Sequence, residues 1–518
     1  MKISMRRTPS EFGKNNKSNQ QLTKPCRHDL LRAGASAMLT ALLCAGGCVV
    51  GPDYERPAAP KVSSYTAQPL ETTPAVTNLG GGEAQRFVEG LDIPGQWWEA
   101  FHSQPLNDLI QRSLTNNPDL KAAQAALVSA HEMVVAQRGA YYPSVTGSFT
   151  ASHQKQSVLI APTPNANIFE YSLYTPQLAV SYTPDVFGLN RRTVESSQAQ
   201  AEGTRYQMVA TYLTLTANVV AAAIQEASLR AQIDTTRQLI GISSNMIDIV
   251  QFQFSKGYAS GVDLAAQQSL LAQMKAALPP LLKQLAQQDD LLAVLAGDYP
   301  GLRQGDAFDL SKLKLPEQLP VTLPLKLVEQ RPDVLQAEEN LHAASAAIGI
   351  AAANRLPNIT LSANAGSTAL SLDKLFADGS GFWAVEGSIA QPIFEGGTLL
   401  HRERSAKALY TQAAQQYRST VLTACQNVAD TLNALQQDAA ALKTAADAAD
   451  AVKQTLDLAR QQYQVGYAGF LPSLTAEQAY QQAEFALVQA QANRFTDTAA
   501  LFQALGGGWW NVADLKTK

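Results

Sequence analysis

The sequence contains few charged, aromatic and cysteine residues for its length of 518. Asp, Glu, Lys and Arg together make up 16% of the chain, and aromatic residues make up 7%. Ala and Gln fill long stretches instead, a composition that suits helices packed closely through small side chains. The shortage of charge and of aromatic side chains argues against a string of compact globular domains, which the length alone would suggest.

No motif for catalysis or for metal binding is apparent. The scattered histidines share no ligand spacing with one another or with Cys425. The run Gly506-Gly507-Gly508 lacks the Lys-Ser/Thr of a phosphate-binding loop, and no nucleophile elbow occurs. We therefore expect neither an enzyme nor a metal or cofactor site.

An export signal is predicted at the amino terminus. After Arg32, residues 33–47 form an apolar run of fifteen residues, the length of a signal-peptide core and short for a membrane span. The sequence Ala45-Gly46-Gly47-Cys48 resembles a bacterial lipobox, although Leu is preferred where Ala45 stands. The resemblance implies cleavage before Cys48, with a diacylglycerol and an N-acyl chain on that residue. Val49 follows it, where Asp would be an inner-membrane retention signal, so we predict transfer to the outer membrane. An uncleaved anchor helix is the alternative.

Loss of the leader changes the charge and the cysteine count. Residues 1–47 carry eight basic and two acidic residues, so their removal takes the formal net charge from −4 to −10. A chain this acidic, without a basic cluster, is a poor nucleic-acid binder. Only Cys48 and Cys425 would remain, which excludes an intramolecular disulfide if Cys48 is lipidated.

The rest of the sequence contains two copies of one unit. The first two pairs of landmarks lie 214 positions apart, and later pairs lie 207 and 209 positions apart. Equal offsets mean equal lengths between landmarks, so the copies differ mainly in one loop. The pairs are Asn117-Pro118-Asp119 with Arg331-Pro332-Asp333, Tyr142-Pro143-Ser144 with Leu356-Pro357-Asn358, Phe187-Gly188 with Phe394-Glu395-Gly396, and Gly257-Tyr258 with Gly466-Tyr467.

Each copy predicts the same order of elements: a helix, a β-hairpin, a very long helix and a return helix. Pro-Asp pairs begin the first helices, strict alternation of apolar and polar residues marks the strands, and a run without proline marks each long helix. At 1.5 Å per residue each long helix would span on the order of 100 Å. The predicted long helices are 189–256 and 398–465, the return helices are 262–296 and 471–505, and the strands are 144–151, 174–182, 358–365 and 383–389.

These elements predict six segments along the chain. They are a signal peptide (1–47), a lipidated amino-terminal and equatorial segment (48–107), repeat one (108–296), an equatorial linker (297–323), repeat two (324–505) and an equatorial tail (506–518).

Four strands per chain cannot enclose a pore alone, and open sheet edges are costly in lipid because unpaired backbone groups find no water there. If these strands enter a membrane, several chains must share a barrel, and three chains would supply about twelve strands. We therefore predict a mainly α protein with a membrane β-barrel contribution. It would form long antiparallel coiled-coil helices, a trimeric twelve-stranded barrel and an α-helical tunnel.

Local motifs strengthen this interpretation. Gly51-Pro52-Asp53-Tyr54, Trp97-Trp98-Glu99-Ala100-Phe101 and Leu505-Gly506-Gly507-Gly508-Trp509 join the Pro-Asp pairs of both repeats. Together they resemble the outer membrane factor (TolC-like) family of the lipidated NodT/OprM type, over essentially the whole mature chain. The resemblance implies a homotrimeric efflux duct for small molecules such as drugs, docked by a periplasmic adaptor to an inner-membrane pump, commonly of the resistance-nodulation-division type. A coiled-coil lipoprotein scaffold without a pore is the alternative.

In this family the turns between long and return helices form the periplasmic tip. The candidate tip and gate residues here are Gly257, Asp263, Tyr463, Gly466 and Pro472. Asp263 either contributes to a ring of carboxylates that attracts cations or stabilises a helix amino terminus. Tyr463 is either a packing residue or a gate contact. Pro472 stands where the second repeat would carry the equivalent acid, and it suits the first turn of a helix.

Overall fold

The computed structural model describes residues 49–516, apart from gaps at 59–61, 63, 67–69, 78, 156, 158–169, 303–306 and 323. Cys48 and the predicted signal peptide lie outside the described residues. Val49–Lys518 form one compact unit. The helices are α1 (Gln104–Asn116), α2 (Pro118–Arg138), α3 (Leu189–Ser255), α4 (Gly261–Leu295), α5 (Pro324–Gln330), α6 (Pro332–Ala353), α7 (Thr398–Gln464), α8 (Phe470–Ala504) and α9 (Ala513–Lys516). The strands are β1 (Arg86–Glu89), β2 (Ser144–Lys155), β3 (Glu170–Tyr182), β4 (Gln318–Val321), β5 (Asn358–Ser367) and β6 (Gly381–Ala390).

The two repeats have matching helices. Both α3 and α7 contain 67 residues, and both α4 and α8 contain 35. Gly188 and Gly397 precede the long helices in left-handed conformations, with φ of +82° and +86°. They lie 209 positions apart, so the offset of 207 assigned to the preceding Phe-Gly landmarks is wrong by two. These landmarks lie in loops, where the two copies are under little structural constraint, so matching their Phe and Gly residues gave the wrong offset.

Local sequence explains where the helices begin. Pro118 is the first residue of α2, where a missing N–H costs nothing. The side-chain oxygen of Asn117 accepts hydrogen bonds from the backbone N–H groups of Asp119 and Leu120 at 2.9 and 3.2 Å. Helix α4 continues through Pro279 and Pro280, although each proline removes one helical hydrogen bond.

The core lies where the equatorial segments meet the middle of the helices. Strand β1 pairs in parallel with β4, which joins the amino-terminal segment to the linker between the repeats. The ring of Trp97 stacks on Phe502 of α8 at 5.3 Å. Within the described residues, α3 is the one helix long and apolar enough to cross a membrane, but 67% of its apolar window is buried inside the chain. It is therefore the central core helix.

The hairpins of the two repeats form one four-stranded sheet in the order β2-β3-β5-β6. All three pairings are antiparallel. Strands β3 and β5 belong to different repeats, so their pairing joins the copies into a single sheet. In the described part of the chain, β2 and β6 form its two outer edges.

Candidate functional site: a membrane sheet and a helical tip

The sheet has one apolar face and one polar face. Because side chains alternate along a strand, residues that are paired across the strands share a face. One row of residues paired across the four strands is entirely apolar, and the next row along the strands is entirely polar. The apolar row is Val145, Val180, Ala363 and Val385, and the polar row is Ser144, Ser181, Ser362 and Glu386.

Large side chains of the apolar face stand exposed. Phe149 of β2 and Trp383, Val385 and Ile389 of β6 have more than half of their surface accessible in the single chain. Clusters of large exposed apolar side chains mark surfaces that contact lipid or another protein. An apolar band of this kind, with a polar opposite face, is the arrangement of membrane barrels, where lipid covers one side and water the other.

At the opposite end, glycines form the turns between the long and return helices. Gly257 and Gly466 both have φ of +80°, and a Cβ at either position would meet no atom of the described residues within 4 Å. Backbone conformation, and not crowding, therefore favours glycine at both positions. The aromatic residues that follow, Tyr258 and Tyr467, are among the most exposed apolar side chains of the chain.

Asp263 belongs to the cap of α4. Its backbone N–H donates to Ser260 Oγ at 3.1 Å, and its carboxylate accepts from Ser260 N at 3.0 Å and from Ser260 Oγ at 2.8 Å. These bonds form a capping box, which satisfies the free N–H groups of a helix start. The geometry accounts for Asp263 as a capping residue, and its gating role stays a prediction.

Tyr463 is buried near the tip. Its ring packs edge-on against Phe470 at 5.6 Å, and the described residues provide no hydrogen-bond partner for its hydroxyl. Burial and, to a smaller extent, the charge of Asp263 raise the pKa of Tyr463 above its usual value. Pro472 is the third residue of α8, in the first turn. Neither position tests the predicted gate.

A buried polar cluster joins the four helices above the tip, and the sequence did not predict it. Gln267 of α4 donates to Ser243 Oγ of α3 at 2.9 Å and to the carboxylate of Glu477 of α8 at 3.2 Å. Arg460 of α7 donates to the other oxygen of Glu477 at 3.1 Å. The Glu477 side chain is only 1% exposed, so these two bonds compensate a desolvated charge. Because Gln recurs along all four helices, and Glu and Arg also occur elsewhere in α3, α7 and α8, no local pattern marks these positions.

A second feature that sequence reasoning missed is an amino-terminal strap, residues 49–56. The backbone N–H of Val50 donates to Phe187 O at 3.2 Å, where β3 leads into α3. The Arg192 side chain, 4% exposed, binds Asp53 at 2.7 Å and the carbonyls of Val50 and Gly51. The strap therefore holds the chain just after Cys48 against the base of the sheet.

The strap continues along α6. The Tyr54 ring stacks on His342 with centroids 4.3 Å apart, and Arg56 forms an ion pair with Glu338 at 2.8 Å. His342 also lies 3.1 Å from Glu195 of α3. The motif Gly51-Pro52-Asp53-Tyr54 thus includes residues that attach the amino terminus to both repeats.

Comparison with known proteins agrees with this geometry. The model of the family described as outer membrane efflux protein matches residues 109–298 and 323–507, which contain both repeats. The chain is 29% identical over 476 residues to the toluene efflux pump outer membrane protein TtgC of Pseudomonas putida, covering 92% of this chain and 95% of that protein. It is 28% identical to the antibiotic efflux pump outer membrane protein ArpC of Pseudomonas putida, with the same shares of the two chains.

A solved structure has the same fold. The outer-membrane channel OprN superposes with a TM-score of 0.80 at 26% identity, covering 89% of this chain and all of that one. The sheet with an apolar face, the paired long helices and the match over both repeats lead to one conclusion. The chain belongs to the outer membrane efflux protein family, as an efflux channel protein of the outer membrane that extends into the periplasm.

Proposed function

We propose that three copies of this chain form the exit duct of a tripartite efflux system, which passively conducts small molecules from an inner-membrane pump to the outside. One observation carries the proposal: the four-stranded sheet has an apolar face and, among the described residues, two unpaired edges, and 67-residue helices extend from its base. Open edges in lipid leave backbone groups without partners, at several kcal/mol each. Closing a ring of three chains removes every edge and encloses a polar interior.

The proposed partners follow from the tip and from the relatives. The exposed aromatic residues Tyr258 and Tyr467 offer apolar surface at the periplasmic end, where a periplasmic adaptor would dock. That adaptor would connect the duct to a pump of the resistance-nodulation-division type. The relatives named for toluene and antibiotic efflux support small organic molecules as cargo. Opening at the tip would involve the turns at Gly257 and Gly466, together with Asp263 and Tyr463.

The proposal includes a lipid anchor on Cys48. Within the strap, the backbone N–H of Val50 donates to Phe187 O at 3.2 Å. This contact supports acyl chains that enter the membrane beside the base of the sheet. The diacylglycerol and N-acyl chain are covalent additions, and the proposed duct requires no cofactor or metal and catalyses no reaction. A passive duct needs only a polar lining and a controllable end.

The test is a subunit count on protein extracted from outer membranes in detergent. Mass photometry should give three copies, and negative-stain images should show a threefold cylinder more than about 100 Å long. The amino-terminal peptide should carry the mass of three acyl chains on Cys48, and Cys48→Ser should lack it. A photoreactive side chain at Tyr467 should cross-link an adaptor in cells. A monomer, or a solid rod without a channel, would refute the duct.

A further inference from the structure

One side chain places a charge on the polar face of the four-stranded sheet. Residues paired across the strands share a face, and every second residue along a strand returns to that face. All residues of β2, β3, β5 and β6 are described, and among them Glu386 of β6 is the one acidic or basic residue on the polar face. His153, Lys155 and Glu170 lie on the opposite face, at the end of the sheet far from the helices.

The fold does not require this charge. Within the described residues no basic side chain pairs with Glu386, which shares its row with Ser144, Ser181 and Ser362. The equivalent residue of repeat one, 209 positions earlier, is Gln177. One hairpin therefore has a neutral amide where the other has a carboxylate of nearly the same shape, so charge and not packing distinguishes the two positions.

We propose that Glu386 makes the barrel of the duct selective for cations, so that positively charged small organic molecules pass through it in preference to anions. The inference rests on the proposed homotrimer, in which lipid covers the apolar face of the sheet and the polar face lines the pore. Threefold symmetry then places three Glu386 carboxylates at one height, in a lining of otherwise uncharged strand residues.

The pore is narrow enough for these charges to act across it. Twelve strands about 4.8 Å apart and tilted by about 40° form a barrel with a radius of about 12 Å. Side chains that extend inward bring the Glu386 carboxylates to about 7 Å from the axis, about one Debye length at 0.15 M salt. Coulomb's law in water, with that screening, predicts an excess of monovalent cations and a deficit of anions of about threefold each at the axis.

The charge lies far from the tip turns. At 1.5 Å per residue, the 67 residues of α7 separate the base of β6 from the tip by up to about 100 Å. The tip itself offers less free charge, because Pro472 is uncharged and the Asp263 carboxylate accepts two bonds from Ser260. Selection at Glu386 can therefore be measured from the outer side of the duct, without a contribution from the tip.

Charged thiol reagents measure the field at this height. The full-length protein with Cys425→Ser also carries Ser181→Cys, a probe in the row of Glu386 that lies two strands, or about 10 Å, away from it. A cationic and an anionic methanethiosulfonate reagent of similar size react with the probe at about 0.01 M ionic strength, where the Debye length is about 30 Å. The ratio of the cationic to the anionic rate should fall about fivefold after Glu386→Gln, and at about 1 M salt the two proteins should agree.

Three further variants serve as controls. Glu386→Asp keeps the charge and should keep most of the rate ratio. Gln177→Glu adds three carboxylates at the equivalent position and should raise the ratio. Glu170→Gln removes the same charge from the opposite face, at the far end of the sheet, and should leave the ratio unchanged.

The outcomes separate this inference from the proposed function. A trimer in which Glu386→Gln lowers the ratio, and Glu386→Asp does not, would support selection by this charge. A trimer in which Glu386→Gln changes the ratio no more than Glu170→Gln would overturn the inference and leave the duct intact. A monomer, or a Ser181→Cys thiol that a neutral reagent cannot reach, would overturn the duct itself, and the selection with it.

Discussion

The buried cluster above the tip allows a quantitative prediction from a single substitution. Glu477 is 1% exposed, and its carboxylate binds Arg460 at 3.1 Å and Gln267 at 3.2 Å. Arg460→Met removes the charged partner while keeping most of the side-chain volume. Leaving a buried charge unpaired typically costs about 3–5 kcal/mol. Because the bonds join α7 and α8 to α4, the substitution should lower the free energy of local opening at the tip.

Hydrogen–deuterium exchange measures that local closure. A loss of about 3–5 kcal/mol in opening free energy would accelerate exchange at the lower ends of α7 and α8 by about two to four orders of magnitude. The matched control is Arg237→Met in α3, since Arg237 pairs with Asp234 at 3.5 Å and both side chains are more than half exposed. Exposed pairs contribute about 0–1 kcal/mol, so the control should change exchange only a few-fold.

A double variant separates the charge from the packing. Arg460→Met with Glu477→Gln removes the cation and the buried carboxylate together, so most of the lost protection should return. If Arg460→Met exchanged no faster than Arg237→Met, the buried ion pair would not stabilise the tip. If the double variant were as fast as the single one, lost packing and not unpaired charge would explain the effect.

Two further predictions concern pH and the strap. Burial, the hydrogen bond with Asp438 and the charge of Asp438 raise the pKa of Asp497 from 3.8 to about 7. Its stabilising contribution is therefore complete below about pH 4 and is lost as the pH rises to about 7. Asp497→Asn should make the melting temperature of the protein less dependent on pH over that range. The same pH dependence in the variant and the unmodified protein would contradict this. Gly51→Ala should release the strap to proteases, because a Cβ would lie 2.4 Å from Gly349 Cα at a φ of +97°. Gly90 has φ of +75°, and a Cβ there would meet no described atom within 4 Å. Gly90→Ala should therefore leave the strap protected, and equal cleavage of both variants would refute the crowding argument.

Much of the architecture could be predicted because it depends on local patterns. The long helices begin and end within one residue of their predicted bounds, since each lies between glycine turns and contains no proline. The strands were found by alternation, although β2 extends to Lys155, beyond the predicted end at Ala151. Of the candidate tip residues, Gly257 and Gly466 have the backbone conformation that the turn required.

Other features could not be predicted because they join residues far apart in the chain. The Gln267–Glu477 bond spans 210 positions, and the bond of Arg192 to Asp53 spans 139. Neither contact leaves a periodic signal, since each partner is an ordinary polar residue in its own segment. The misaligned Phe-Gly landmarks show the same limit, because only the helix starts after Gly188 and Gly397 established that the offset of 209 already applies there.

The secondary-structure elements and the duplication follow from local sequence patterns, because proline, glycine and alternation act through the backbone within a few residues. It also carried the family resemblance, which rests on short motifs. The pairing of β3 with β5, the burial of particular charges and the open edges among the described residues are visible only in the folded chain. Strand pairing and burial depend on which distant surfaces exclude water together, and no local pattern encodes that choice.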